Sequence, residues 1–285
     1  MSSPHPRNGI RMMGEVGQPK RWLLLRHSLW DQRRAMFGWS VGIFGTVTLL
    51  VAMYPTVRDT PGLDAVWENA PEGIKALFGL GGTLDISSGV GYLRTEVFGL
   101  TLPLLLLVRA IGAGAGSIAG DEERGVVGQL LSLPVSRSRI LSERFLGQLI
   151  SNLSLGLLTM CTILSVAPLV RLDIGFSRLL AATSGAVVLA TLFGTTALLV
   201  GCVTGRRSAA VAVSSAAAVC GFLSDSLAGL SDRVSWLRVI SPFHWASPGE
   251  LILGGSLSGL LWCLAAIAIQ FGVALVAFRG RDLKN

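Results

Sequence analysis

The side chains that most often carry catalysis or bind nucleotides are few in this sequence, and their spacing forms no known site. The three lysines precede Arg21, Ala76 and Asn285, so none has the Gly-Lys-Ser/Thr context that cradles nucleotide phosphates. The histidines are scattered, and neither the H-E-x-x-H nor the G-x-S-x-G motif occurs. The sequence therefore predicts that the chain is not an enzyme and holds no metal or cofactor of its own.

One charged segment, Ala119–Arg139, lies between two long apolar segments and has the pattern of a short helix. Its aliphatic residues follow the i, i+1, i+4, i+5 spacing of one helix face, namely Val126, Val127, Leu130 and Leu131. Its acidic residues would lie in the first turn, near exposed N–H groups, namely Asp121, Glu122 and Glu123. Pro134 marks the end of the helical pattern. The pattern therefore predicts an amphipathic helix whose start and end are both determined by nearby residues.

This segment resembles the ABC-2-type permeases, the transmembrane subunits of bacterial ABC exporters. The likeness rests on the acidic pair before Arg124-Gly125, on Leu130-Leu131, and on the run Leu133–Arg137 that leads into the next apolar segment. Weaker similarities occur at Pro71–Gly79 ahead of Gly91-Tyr92, and at Ser241–Phe243. The likeness extends over most of the chain, from about Trp22 to the C-terminus.

The resemblance implies that the segment is a coupling helix that docks into a groove on a separate cytoplasmic ATPase. The implied ATPase-coupling residues are Glu122, Glu123, Arg124, Gly125, Val126, Val127, Leu130, Leu131, Pro134 and Arg137. The four aliphatic side chains would fill the groove, and Glu123, Arg124 and Arg137 would be charges at its rim. The alternative interpretation is an ordinary amphipathic loop that lies on the membrane.

The composition is that of an integral membrane protein. The 285 residues are 51% hydrophobic and only 14% charged, with a mean hydropathy of +0.61. Residues 1–19 are polar and broken by proline and glycine, which predicts a disordered cytoplasmic tail. Residues 20–34 alternate tryptophan and leucine with arginine, which predicts a helix lying at the membrane interface.

Residues 35–285 are predicted to form one transmembrane domain. The apolar segments are close to the roughly 20 residues needed to cross a bilayer. The predicted spans are about 35–54, 95–118, 145–168, 179–203, 208–228 and 257–278, with a coupling loop at 119–142. The predicted fold class is therefore an all-α integral membrane protein with six transmembrane helices and an N-terminal amphipathic interfacial helix, similar to the ABC-2 or type V exporters.

The basic residues predict the orientation of these spans. Of the 24 Lys and Arg residues, sixteen fall on the side of the N-terminus, seven on the opposite side, and Arg109 within a span. Cytoplasmic connections carry the excess of positive charge, so both termini are predicted to be cytoplasmic. The net charge of +7 is then a consequence of topology and does not indicate nucleic-acid binding.

Two outer connections are long enough to have structure of their own. In residues 55–93, the apolar residues of Leu63–Leu80 are interrupted by Pro71, which predicts one or two short helices on the outer leaflet. Residues 229–256 contain an aromatic group that fits either an interfacial belt or a short re-entrant turn. This group consists of Trp236, Phe243, His244 and Trp245.

Small residues recur at every fourth position in two predicted spans. The second span has Gly112, Gly116 and Gly120, and the end of the fourth has Ala197, Gly201 and Gly205. Such spacing lets helix backbones approach closely inside a membrane. These residues are predicted to pack helices, either within one subunit or between two.

Arg109 is the one charge deep within a predicted span, about 15 Å from its cytoplasmic end. Insertion scales place the cost of such a charge at about 2.5–3.5 kcal/mol, so a partner or water is expected nearby. Glu96, 13 residues earlier on the same helix, is too far away to pair within it, and Asp225 and Glu250 are partners only if the fold brings them near. One hypothesis assigns Arg109, Glu96 and Asp225 to the substrate pathway. The alternative is a structural buried pair, or a long side chain that reaches the interface.

The resemblance implies a permease subunit in the bacterial inner membrane. It would form a homodimer, or pair with a sister permease, and two copies of the ATPase would bind ATP and magnesium for the complex. Export of an amphipathic drug or antibiotic, or of a lipid, is the implied activity, as in multidrug efflux. The alternative is a non-energised channel or sensor partner that binds another cytoplasmic protein through residues 119–139.

Overall fold

The computed structural model describes residues 23–60, 69, 71, 88–123, 136–228 and 234–280, with side chains from residue 33 onward. These residues form helices and their connections, and they contain no β-strand. Six helical spans among them are long and apolar enough to cross a membrane. The predicted all-α architecture with six spans is therefore confirmed.

Eleven α-helices, one π-helical segment and one 3-10 helix, Ala167–Val170, are described. Their bounds in chain order are α1 Leu23–Arg58, α2 Gly89–Tyr92, the π-helical segment Leu93–Gly99, α3 Thr101–Ser117, α4 Ala119–Glu123, α5 Arg137–Val166, α6 Phe176–Thr204, α7 Arg207–Ala228, α8 Leu237–Ile240, α9 Pro242–Ala246, α10 Pro248–Leu251 and α11 Ser258–Gly280. The second span consists of α2, the π-helical segment and α3. The other five spans are α1, α5, α6, α7 and α11.

The helices extend further than the apolar segments that predicted them. The third span begins at Arg137 and not near 145, and the second begins at Gly89 and not near 95. Hydropathy reports the thickness of the hydrocarbon, whereas helical hydrogen bonding continues into the headgroup region. The helix predicted at 20–34 likewise continues into the first span, since α1 is unbroken from Leu23. The helices predicted in Leu63–Leu80 lie outside the described residues.

Helix α6 is the centre of the bundle. In its most apolar stretch of 18 residues, 72% are buried, and it packs against α3, α5, α7 and α11. Three glycines of α6, Gly185, Gly194 and Gly201, each face a neighbouring segment at a distance that a side chain would fill. Because lipid is as apolar as leucine, close backbone packing holds such a bundle together. The small residues of α6 therefore place it at the centre.

Helices α1, α7 and α11 lie at the periphery. In their most apolar stretches only 17%, 11% and 17% of the residues are buried within this chain. Their outward side chains are large and apolar, as in Phe44, Val219 and Leu261. Such faces suit contact with lipid or with another membrane-embedded chain.

The segment containing α8, α9 and α10 turns back into the bundle. Phe243 of α9 packs between α6 and α7, with ring centroids 5.8 Å from Phe193 and 5.6 Å from Phe222. The Ser241 hydroxyl donates a hydrogen bond of 2.9 Å to the carbonyl of Gly221, which lies about 10 Å before the C-terminal end of α7. Of the two predicted alternatives for residues 229–256, these contacts favour the re-entrant turn.

Candidate functional site

The first end of the predicted coupling loop is the short helix α4, which leaves the second span after Ile118. Asp121 of α4 forms an ion pair of 2.5 Å with Arg144 of α5, and their side chains are only 8% and 20% exposed. Ala119 lies against Gly201 of α6, where an added Cβ would be 3.4 Å from the Ala119 Cβ. Two spans therefore hold α4 by a buried ion pair and a close backbone contact.

Glu123 joins the same short helix to a third span. Its Oε1 atom accepts a hydrogen bond of 2.8 Å from the backbone N–H of Arg207, the first residue of α7. The first N–H groups of a helix have no partner within the helix, so a carboxylate there satisfies a donor and interacts favourably with the helix dipole. Helices α6 and α7 are joined only by Gly205, at φ 66°, and Arg206.

The second end of the loop is Arg137, the first residue of α5. Its Nη1 atom donates to the carbonyl oxygen of Phe278 near the end of α11, at 3.5 Å. Arg139 forms an ion pair of 2.9 Å with Glu143 one turn further along α5. The two ends of the loop are thus attached to the start of α7 and the end of α11.

The structure describes only some of the predicted coupling residues. Glu122 is half-buried on α4, and Glu123 and Arg137 make the contacts above. The remaining predicted residues lie outside the described part of the chain, and they are Arg124, Gly125, Val126, Val127, Leu130, Leu131 and Pro134. Their docking role stays a prediction. Asp121, Arg144 and Arg207 complete the base of the loop, and no local sequence signal could have paired them.

Arg109 of α3 lies inside the bundle with 5% of its surface exposed. Its Nη1 atom donates a 2.7 Å hydrogen bond to Asn152 Oδ1 on α5, and its Nη2 atom contacts Met36 Sδ on α1 at 3.2 Å. The Asn152 amide donates in turn to Thr191 Oγ1 on α6 at 3.1 Å. The guanidinium therefore joins α3, α5, α6 and α1 through neutral partners.

Sequence reasoning missed the polar face of α5 that receives Arg109. Asn152 and Gln148 are one helical turn apart and almost completely buried, at 0% and 3% exposure. The side chain of Gln148 packs against Gly194 of α6, where an added Cβ would overlap its amide nitrogen. Polar residues at i and i+4 in an otherwise apolar span are the signal that could have indicated this face.

The three residues assigned to the substrate pathway do not meet. Among the described residues, neither Glu96 nor Asp225 forms an ion pair with Arg109. Glu96 lies in the π-helical segment, and Asp225 lies near the C-terminal end of α7, with its Oδ1 atom 3.5 Å from His244 Nδ1. Glu250 pairs instead with Arg94, at 2.5 Å. These outer charges hold the re-entrant segment against the second span and α7.

The close approach between the second and fourth spans occurs at Gly114. A Cβ added there would overlap the carbonyl oxygen of Gly194 and lie 3.1 Å from the Cβ of Ala197. At Gly112 and Gly116 an added Cβ would meet no described atom within 4 Å. Among the described residues no contact within the chain supports packing at these two glycines, so their packing role, within one subunit or between two, stays a prediction.

Comparison with known proteins identifies a family for nearly the whole bundle. The model of a family described as "ABC-2 family transporter protein" matches residues 31–283. The match includes all six spans and the loop between α4 and α5. No curated protein matches the chain.

Proposed function

Because the chain belongs to the ABC-2 family of transporter proteins, and is thereby a permease subunit of an ABC transporter, we propose that it exports an amphipathic small molecule or a lipid. The observation that carries the proposal is the family match across residues 31–283. The geometry of the loop base supports it, since Glu123 and Arg137 attach the two ends of the loop to different spans. A movement of the loop thereby has a direct path into the membrane domain.

Energy for transport would come from the partner, because transport against a gradient needs a coupled reaction. Two copies of a cytoplasmic ATPase would bind ATP and magnesium, and a second permease subunit would complete the pathway. The excess of basic residues on one side supports cytoplasmic termini in a bacterial inner membrane. The sparsely buried faces of α1, α7 and α11 are the surfaces available to the second subunit and to lipid.

Docking of the loop is tested by replacing both Leu130 and Leu131 with aspartate. If the two leucine side chains fill a groove on the ATPase, the aspartate variant loses their apolar contact. Its two carboxylates would also be buried in the groove without partners. We expect co-purification with the ATPase encoded nearest to this chain to be abolished. ATPase activity of the reconstituted complex should then be independent of this chain.

The control for added charge is Leu169→Asp, at an 81% exposed position beyond the opposite end of α5. It should leave co-purification unchanged. Unchanged co-purification of the Leu130/Leu131 variant contradicts the docking role. If no ATPase associates with the unaltered chain, the loop serves another cytoplasmic protein, as in a channel or sensor partner.

Arg109 gives a second test, of the substrate pathway. Arg109→Met removes the desolvation cost of the buried guanidinium but leaves the buried Asn152 Oδ1 without its donor, so the unfolding temperature should fall by no more than a few degrees. If Arg109 lines the pathway, ATP-driven efflux of a fluorescent amphipathic dye should fall about tenfold or more, as expected when a buried polar contact is lost. Full efflux by a stable Arg109→Met variant assigns the residue to structure alone.

A further inference from the structure

The start of α7 is attached both to the predicted coupling loop and to the centre of the bundle. Glu123 is the last residue described before the loop continues, and its carboxylate holds the first N–H of α7 at 2.8 Å. On the other side of that N–H, the two residues Gly205 and Arg206 connect α7 to the end of α6. The first residue of α7 is therefore connected on one side to α6 and on the other to the carboxylate of Glu123, at the start of the loop.

The two helices joined at this point differ in their freedom to move. In α6, 72% of the most apolar stretch is buried, whereas in α7 only 11% is buried within this chain. Helix α6 contacts four other spans, whereas α7 contacts two spans, α6 and α3, and the short helices α4, α8 and α9. A displacement applied at Glu123 is therefore expected to move α7 more readily than α6.

Helix α4 is suited to deliver such a displacement without bending. The Asp121–Arg144 ion pair and the contact of Ala119 with Gly201 hold its first turn against α5 and α6. Glu123, at the opposite end of the five-residue helix, is exposed and adjoins the loop. Rotation of α4 about its held first turn thus moves Glu123 and its hydrogen-bonded partner together.

We propose that Glu123 is a positioning residue that transmits movement of the coupling loop to α7, through its hydrogen bond to the Arg207 N–H. The proposal rests on the proposed function, since a bound ATPase is what moves the loop. It gives Glu123 a role different from that of a charge at the rim of the ATPase groove. Two pairs of variants separate these roles, because the hydrogen bond can be removed from either partner.

Glu123→Ala removes the acceptor, whereas Glu123→Gln keeps an oxygen that accepts the same hydrogen bond. Arg207→Pro removes the donor at a first-turn position where proline is well tolerated, whereas Arg207→Ala keeps the N–H and removes only the side chain. The two variants that lack the hydrogen bond, Glu123→Ala and Arg207→Pro, should share one defect. The two controls that keep it, Glu123→Gln and Arg207→Ala, should not show that defect.

The readout uses cysteines introduced at two exposed positions near helix ends, Leu227→Cys on α7 and Leu169→Cys beyond the end of α5, in a chain whose Cys161 and Cys220 are replaced by serine. The complex with the neighbouring ATPase is reconstituted without nucleotide, or trapped with ATP and orthovanadate. N-ethylmaleimide modification of each introduced cysteine is followed by mass spectrometry, with position 169 as the internal reference. In the otherwise unaltered complex we expect trapping to change the relative rate at position 227 by about fivefold, the low end of coupling between distant sites.

Glu123→Ala and Arg207→Pro should both abolish this nucleotide dependence, and the Arg207→Pro complex should still bind the ATPase and hydrolyse ATP. Glu123→Gln and Arg207→Ala should retain it. The inference is overturned if Glu123→Ala retains the dependence, if Glu123→Gln loses it, or if the unaltered complex shows none. Failure of the unaltered chain to bind the ATPase is a separate result, which overturns the proposed function and this inference with it.

Discussion

Replacing Gly114 by leucine is expected to abolish the recovery of folded protein from membranes. The backbones of α3 and α6 touch at this position, because a Cβ at Gly114 would overlap the Gly194 carbonyl oxygen. A leucine side chain would force apart the two helices that form the centre of the bundle, and packed interiors do not accept that volume. The measurement is the monodisperse fraction after solubilisation, with a fluorescent protein fused to the chain.

The smaller change Gly114→Ala keeps the test informative if the leucine variant yields no protein. Overpacking by one methyl group costs about 1–3 kcal/mol, so the unfolding temperature in detergent should fall by several degrees. Gly112→Ala is the matched control on the same helix, where an added Cβ meets no described atom within 4 Å. Its stability should be unchanged or raised, since alanine favours helix over glycine.

Gly116→Leu separates the two versions of the glycine prediction. If Gly116 packs against a second subunit, this change should dissociate dimers while each chain stays folded. Wild-type recovery of Gly114→Leu would contradict the contact between α3 and α6. Equal losses at Gly112 and Gly114 would contradict it as well, because only one of the two faces α6 in this structure.

Asp121→Ala is expected to have the second large effect. It leaves the guanidinium of Arg144, whose side chain is 20% exposed, without its carboxylate partner at 2.5 Å. Removing one partner of a buried ion pair typically costs about 3–5 kcal/mol, a large part of the stability of a single domain. We expect a clear loss of thermal stability and a matching loss of ATPase association, because α4 is no longer held against α5.

The double variant Asp121→Arg with Arg144→Asp restores opposite charges at the same two positions and should recover part of both losses. Asp59→Ala is the control for an exposed pair, since Asp59 contacts Arg58 at the outer end of α1 with its side chain 65% exposed. It should leave the unfolding temperature unchanged. A stability of Asp121→Ala equal to that of Asp59→Ala would show that the inner pair contributes little.

The sequence predicts the spans well because one physical quantity, the thickness of the hydrocarbon, determines them. It does not predict which span is central. The most apolar stretches of α6 and α11 have nearly the same hydropathy, 2.2 and 2.3, yet 72% of one and 17% of the other is buried. Whether a span is central depends on which of its glycines face a neighbouring helix. The sequence alone does not show which of Gly112, Gly114 and Gly116 does so.

At the candidate site too, the sequence predicts features that depend on adjacent residues, but it does not predict contacts between residues far apart in the chain. The helical pattern of 119–139 can be recognised from adjacent residues, and its described first part, Ala119–Glu123, is the helix α4. The contacts that attach this segment to the bundle join residues far apart in the chain, as in Glu123 with Arg207 and Arg137 with Phe278. Arg109 was predicted to need a partner, and its partner Asn152 is 43 residues away on another span.

The two-residue connection between α6 and α7 keeps their adjoining ends close together, so we expect α7 to move mainly by tilting about the end that carries Arg207. Its 22 residues extend about 33 Å, and a tilt of about 10° therefore displaces its outer end by about 6 Å. At Phe222, about two thirds of the way along, the same tilt amounts to about 4 Å, which is enough to separate its ring from Phe243. The short connection would thus convert a small angular change at the Arg207 end of α7 into an opening between α7 and the re-entrant turn near its other end.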